Sequence, residues 1–169
     1  MLSDKIEKAL NEQIAQEEGA SDYYLAMASW CEQTGRPGAA KFLYKQSDEE
    51  RAHMLKLFHY TNEHGGHAVV AGTKTPTGKF KSLDEVFETA LQHELKVTKS
   101  IHALVDLCLG TKDYGTFYFL QWYVGEQLEE ERQMREILDL IRLAGRDGRG
   151  EYFVDRELAT LAAQAPQAR

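Results

Sequence analysis

Residues 43–57 read Leu-Tyr-Lys-Gln-Ser-Asp-Glu-Glu-Arg-Ala-His-Met-Leu-Lys-Leu, and this stretch decides the fold. Its apolar residues recur with the spacing of one helix face, yet Glu50 and His53 occupy two positions of that face. Because they are three residues apart, their side chains lie on the same side of a helix. A buried charge without a partner costs several kcal/mol or more. This helix therefore places a polar pair in the protein core, and the cost of burying the pair indicates a functional role.

The same helical period extends along the chain and predicts four long helices and a short fifth. They are predicted at about residues 3–34, 38–64, 83–109, 113–144 and 152–164, with glycines at the breaks. Ser82 and Glu85 form the pattern of a capping box at the start of the third helix. Residues 1–169 are therefore expected to form one all-α domain, with the last five residues frayed.

The connection between the second and third helices sets the expected topology. It covers about residues 65–81, and at roughly 3.3 Å per residue it can span more than about 50 Å. A helix of about 27 residues is only roughly 40 Å long, so the link can run the length of a bundle. The other long helices are joined by short links, which make antiparallel pairs. A four-helix bundle with one long crossover is expected.

The two halves of the chain repeat each other when the sequence is shifted by 77 residues. Three polar pairs then align within the apolar faces: Glu17 with Glu94, Glu50 with Gln127, and His53 with Glu130. Four carboxylates in one core would repel one another, and the inward faces carry no lysine or arginine at this level. Either cations compensate these charges or most of the carboxylates are protonated, and a metal cluster is the simplest explanation. Oxygen-rich ligands with a single imidazole suit iron better than zinc.

Composition narrows the class of protein further. The formal net charge of −7 disfavours nucleic acid as a partner and is compatible with attracting cations. No apolar run approaches the roughly 20 residues that span a bilayer, and the charged N-terminal segment lacks a signal-peptide pattern. A cytoplasmic protein is expected. Cys31 and Cys108 have no metal-binding spacing and are interpreted as small buried hydrophobes.

At these residues the chain resembles the ferritin family, and in particular its non-haem bacterial members. The resemblance covers nearly the whole chain and is strongest over residues 114–131, which include Phe119-Leu120-Gln121-Trp122-Tyr123-Val124. It implies a ferritin-like four-helix bundle with a short fifth helix, assembled into a hollow 24-subunit cage. The apolar pattern of the fifth helix (Phe153, Leu158, Leu161) predicts burial of that helix against neighbouring subunits.

The resemblance also implies roles for individual residues. A first iron site would comprise Glu17, Glu50 and His53, and a second would comprise Glu94, Glu130 and the shared Glu50. Further implied site residues are Gln127 and Tyr24 beside the centre, Glu49, Glu126 and Glu129 with Glu130 in a third iron site, and Trp122 as a nearby electron source. The expected activity is that of a ferroxidase, which oxidises Fe(II) with O2 or H2O2 and stores the ferric product as mineral.

Two departures separate the chain from haem-binding relatives. Bacterioferritins and rubrerythrins repeat the Glu-x-x-His pattern in their second half, where this chain has Gln127-x-x-Glu130. The haem-ligating methionine of bacterioferritins follows the glutamate that matches Glu50, and Arg51 stands there, so no haem is expected. The alternatives are a di-iron peroxidase or oxygenase, disfavoured by the missing second Glu-x-x-His, and a metal-free structural bundle, disfavoured by the core carboxylates.

Overall fold

The computed structural model describes residues 2–164, and these residues form five α-helices without a strand. The helices are α1 (Asp4–Gln33), α2 (Pro37–Glu63), α3 (Leu83–Thr111), α4 (Tyr114–Ala144) and α5 (Gly148–Ala163). The all-α fold class is confirmed. The expectation of a frayed end concerns residues 165–169, which lie outside the described residues. None of the described helices is long and apolar enough to cross a membrane.

Short polar side chains cap the starts of α1, α3 and α4. Ser3 Oγ accepts a hydrogen bond from the Ile6 amide, and Asp113 Oδ1 accepts one from the Thr116 amide at 3.0 Å. Ser82 caps α3 as predicted, because its Oγ accepts from the Glu85 amide at 3.2 Å. The Glu85 carboxylate accepts from the Lys81 amide, one residue before the position that a standard capping box uses.

One predicted helix boundary is wrong and another is slightly early. The third helix, predicted to end at about residue 109, continues to Thr111, and Lys112 adopts the left-handed conformation that closes it. The fifth helix begins at Gly148 instead of about residue 152. A Cβ on Gly150 would lie only 2.3 Å from the Ala144 carbonyl oxygen, so this glycine allows α5 to start close against the end of α4. Glycine here permits close packing, where the sequence suggested a break.

The long link runs alongside α1, as the topology argument requires. Its contacts advance along α1 in chain order: Val69 with Asn11, Thr73 with Asp22, and Phe80 with Trp30. The link therefore crosses from one end of the bundle to the other. As a result α2 and α3 start at the same end and run parallel.

The core consists of two apolar halves with a polar layer between them. One half contains Phe42 and Phe87, and the other contains Leu10 and Ile101. The layer between them holds the buried side chains of Gln13, Glu17, Gln46, Glu50, His53, Glu94, Gln127 and Glu130. Cys31 and Cys108 are free and buried, one in each apolar half, which confirms their interpretation as small hydrophobes.

The first half of α4 buries polar side chains beside the apolar Leu120. Thr116 and Tyr123 are buried there, whereas Phe117 is only partly buried. The polar tips of the buried pair are satisfied. Tyr60 Oη and Thr116 Oγ1 lie 3.0 Å apart, and Tyr123 Oη donates to the His53 carbonyl at 2.7 Å. Such partners cannot be seen in the apolar periodicity of α4 alone.

Helix α5 packs against its own bundle, so Leu158 and Leu161 are already covered within the chain, and the burial of α5 against neighbouring subunits stays a prediction. Leu158 is fully buried in the core of its own chain, Leu161 packs against that core, and Phe153 is half exposed. The N-terminus of α2 explains this position. Its N-cap residue provides no side-chain cap. Instead, Asp155 Oδ1 on α5 accepts a hydrogen bond from the Ala39 amide at 2.8 Å.

Candidate metal centre

Three candidate ligands meet in the polar layer. Glu17 comes from α1, while Glu50 and His53 lie one turn apart on α2. One ligand atom from each residue lies within 4.8 Å of the others, and all three side chains are buried. His53 Nδ1 is 3.4 Å from Glu50 Oε2. The first iron site implied by the sequence therefore corresponds to a compact group in the fold.

Several carboxylate oxygens of this group lack a hydrogen-bond partner. Within residues 2–164, this applies to both oxygens of Glu50 and to Oε2 of Glu17. Burial, and next the mutual repulsion of neighbouring carboxylates, raises the pKa of both side chains well above the usual range. Unpaired buried carboxylates cost several kcal/mol each, so a divalent cation fits this donor set well.

Glu94 and Glu130 occupy the same layer but are held by hydrogen bonds. Glu94 accepts from Tyr24 Oη at 2.5 Å and from Gln127 Nε2 at 3.1 Å, and Glu130 Oε2 accepts from Gln46 Nε2 at 3.0 Å. Burial raises the pKa of Glu94, whereas its two hydrogen bonds oppose the rise. Burial, followed by the Glu94 charge, raises the pKa of Glu130 well above its usual range. These two carboxylates do not join the compact group of Glu17, Glu50 and His53.

The carboxylates implied for a third iron site are partly exposed and lie beside charged neighbours. Glu49 Oε1 is 3.8 Å from Lys45 Nζ, and Glu129 pairs with Arg132. Glu126 Oε1 lies 4.0 Å from His53 Nε2. They form no compact ligand group with Glu130 in the described part of the chain. Their role as a third site stays a prediction.

Three residues near the centre have contacts that the sequence does not reveal. Gln13 donates to Glu17, Gln46 donates to Glu130, and Tyr123 donates to the His53 carbonyl. The sequence does contain a hint of the two glutamines, because Gln13 and Gln46 each precede a core glutamate by one helical turn on an apolar face. Trp122, implied as an electron source, packs its ring edge-on to His53 with the centroids 5.3 Å apart.

The crowded carboxylates predict that the metal-free protein becomes more stable when one is neutralised. Glu50→Gln removes a buried carboxylate whose oxygens accept no hydrogen bond within residues 2–164, so the free energy of unfolding should rise by about 1–3 kcal/mol at pH 7.5. The pKa of Glu50 is raised in the folded state, so its contribution to stability is fully present below the unfolded pKa. That contribution is lost as pH rises through the folded pKa. Denaturant titration of the metal-free protein between pH 5 and pH 8 measures both effects.

Glu88→Gln is the control, because Glu88 is exposed on α3. This variant should match the parent at every pH, whereas Glu50→Gln should show a flatter decline of stability with rising pH. Equal stability of Glu50→Gln and the parent across the whole range would show that the Glu50 charge is compensated in another way.

Comparison with known proteins agrees with this fold. A family model described as a ferritin-like domain matches residues 7–144. The bacterial non-heme ferritin of Campylobacter jejuni is 46% identical over 96% of this chain and 97% of its own length, and that of Escherichia coli O6:H1 is 40% identical over 97% and 99%. The open-pore ferritin of the archaeon Archaeoglobus fulgidus superposes with a TM-score of 0.92 at 38% identity, covering 94% of this chain and 98% of that structure. The chain is therefore a member of the ferritin family.

Proposed function

We propose that this protein stores iron: it binds Fe(II) in the polar layer, oxidises it, and keeps the ferric product as a mineral inside a cage built from its own copies. The observation that carries the proposal is the buried group of Glu17, Glu50 and His53, with carboxylate oxygens that lack partners among residues 2–164. The similar proteins from C. jejuni and E. coli are named bacterial non-heme ferritins, which supports the same function here.

Iron is the substrate in this proposal, and different side chains bind each of the two iron ions. Glu17 and His53 hold the first Fe(II), Glu94 and Glu130 hold the second, and Glu50 lies between them as the shared ligand. Tyr24 and Gln127 fix the Glu94 carboxylate through their hydrogen bonds. Two Fe(II) ions each give one electron, so one O2 takes up two electrons and two protons and leaves as H2O2. The protein thus acts as a ferroxidase by holding two metal ions close together.

Assembly into a cage is part of the same proposal. Large apolar side chains are exposed on the isolated chain, including Tyr118 at 82% and Leu143 at 87%. These residues and the half-exposed Phe153 are available for contacts between copies. Tyr118 and Leu143 lie near opposite ends of α4, so they would take part in separate contacts. The 24-subunit state, the cytoplasmic location and the absence of haem belong to the proposal as predictions.

Iron loading of the purified protein tests the storage function. We expect light scattering to show a particle many times heavier than the 19.2 kDa chain, and aerobic addition of several hundred Fe(II) per particle to give a soluble ferric core. Electron microscopy should then show dense iron inside the shell. A stable monomer or dimer at micromolar concentration, or ferric precipitate outside the protein, would contradict storage.

A further inference from the structure

Two glutamines in the polar layer donate hydrogen bonds to carboxylates of the centre. Gln13 Nε2 donates to Glu17 Oε1 at 2.8 Å, and Gln46 Nε2 donates to Glu130 Oε2 at 3.0 Å. Each glutamine is only 1% exposed. Burying an amide costs free energy that an apolar residue at the same position would not, so a structural role alone does not explain them.

The chemistry of the amide suits a carboxylate that must also bind a metal. A lysine or arginine in the same place would orient the carboxylate but would cancel the negative charge that attracts a cation. An amide fixes one carboxylate oxygen and leaves the charge intact. Glu17 illustrates the result, because Oε1 is held by Gln13 while Oε2 has no partner in the described chain. Ligating carboxylates in proteins are commonly held by hydrogen bonds of this kind.

The two glutamines serve different halves of the centre. Gln13 lies one turn before Glu17 on α1, so it orients a ligand of its own helix. Gln46 lies one turn before Glu50 on α2 and reaches across to Glu130 on α4. Gln46 therefore fixes the Glu130 carboxylate relative to Glu50, the residue shared by the two metals in the proposed function.

We propose that Gln13 and Gln46 are positioning residues that act separately: Gln13 sets the affinity of the Glu17 and His53 site, and Gln46 sets the affinity of the Glu94 and Glu130 site. This inference rests on the proposed function, because it assumes that both sites bind metal. Loss of a partner that orients a metal ligand typically lowers metal affinity about 10–100-fold. The two losses of affinity should therefore occur at different metal sites.

Anaerobic titration of the assembled protein with Co(II) tests the separation. Gln13→Leu should weaken cobalt binding at the Glu17 and His53 site about 10–100-fold and spare the other site. Gln46→Leu should weaken binding at the Glu94 and Glu130 site by a similar factor and spare the first. Anomalous diffraction at the cobalt edge assigns each binding step to a site. The exposed Gln16, changed to Leu, is the control and should leave both affinities unchanged.

Methionine variants at both positions repeat the test with a side chain closer in shape to glutamine. The inference is supported if, in either pair of variants, the change at Gln13 weakens only the Glu17 and His53 site and the change at Gln46 weakens only the Glu94 and Glu130 site. If both variants weaken the same site, or if neither changes any affinity, the inference is wrong while the proposed function stands. If the parent protein binds no cobalt at either site, the inference and the proposed function both fail.

Discussion

His53→Ala is expected to slow the oxidation of Fe(II) by at least about 100-fold, because the change removes a proposed ligand itself. Loss of the partner that orients a ligand already costs about 10–100-fold in affinity or activity. His53 is the single histidine of the compact group and offers its one candidate nitrogen ligand atom. Imidazole raises the affinity for later first-row divalent metals more than a carboxylate does. Stopped-flow absorbance of the ferric product after mixing with aerated buffer measures the rate.

His59→Ala is a matched control, because His59 is an exposed histidine on the same helix. It should oxidise iron at the parent rate. If His53→Ala is folded by circular dichroism and still oxidises iron at the parent rate, the imidazole is not a ligand of the reacting iron.

Gly38→Ala is expected to displace α5 from the bundle. A Cβ at position 38 would lie 1.8 Å from the Asp155 carbonyl oxygen, and the obstacle is backbone that cannot turn aside. The displacement should also break the hydrogen bond from the Ala39 amide to Asp155. Overpacking of this kind costs about 1–3 kcal/mol or more, so the thermal midpoint should fall and amide exchange in α5 should accelerate. Differential scanning calorimetry and hydrogen exchange measure the two effects.

Gly19→Ala provides the opposite control, because within residues 2–164 no atom beyond the adjacent residues and local helix backbone lies within 4 Å of a Cβ at that position on α1. A helical alanine should there stabilise the protein by about 0.5–1 kcal/mol. If Gly38→Ala leaves both the thermal midpoint and the exchange of α5 unchanged, the close approach of α5 to α2 is not a feature of the folded protein.

The bundle and the centre of the site could be predicted because both follow from helical periodicity. Long helices bury one face, so Glu50 and His53 on the apolar face of α2 had to enter the core. The repeat brought Glu17 and Glu94 to the same level, and all four residues are buried there. The length of the link then fixed the direction of α3.

Other features depend on contacts between distant parts of the chain, which periodicity does not encode. The seat of α5 depends on Gly38 and Asp155, which are far apart in sequence. The buried face of α4 depends on the partners of Thr116 and Tyr123. In both places the packing depends on a hydrogen bond or on a glycine. The sequence around each of these residues gives no sign of the distant contact that it makes.

The hydrogen bonds of the polar layer imply an order of iron binding. Glu17 and Glu50 have oxygens without partners in residues 2–164, whereas both oxygens of Glu94 already accept hydrogen bonds. The site with Glu17 and His53 should therefore need less rearrangement to bind a metal. Its imidazole adds to the same preference.

The most direct test of the central claim is the iron occupancy at the two sites in crystals soaked briefly in Fe(II) without oxygen. Anomalous scattering at the iron edge gives each occupancy separately. We predict that iron fills the site of Glu17, Glu50 and His53 first and that the site of Glu94 and Glu130 follows at longer times or higher concentration. Iron at Glu94 and Glu130 before the first site, or no iron between these helices at all, would contradict the account.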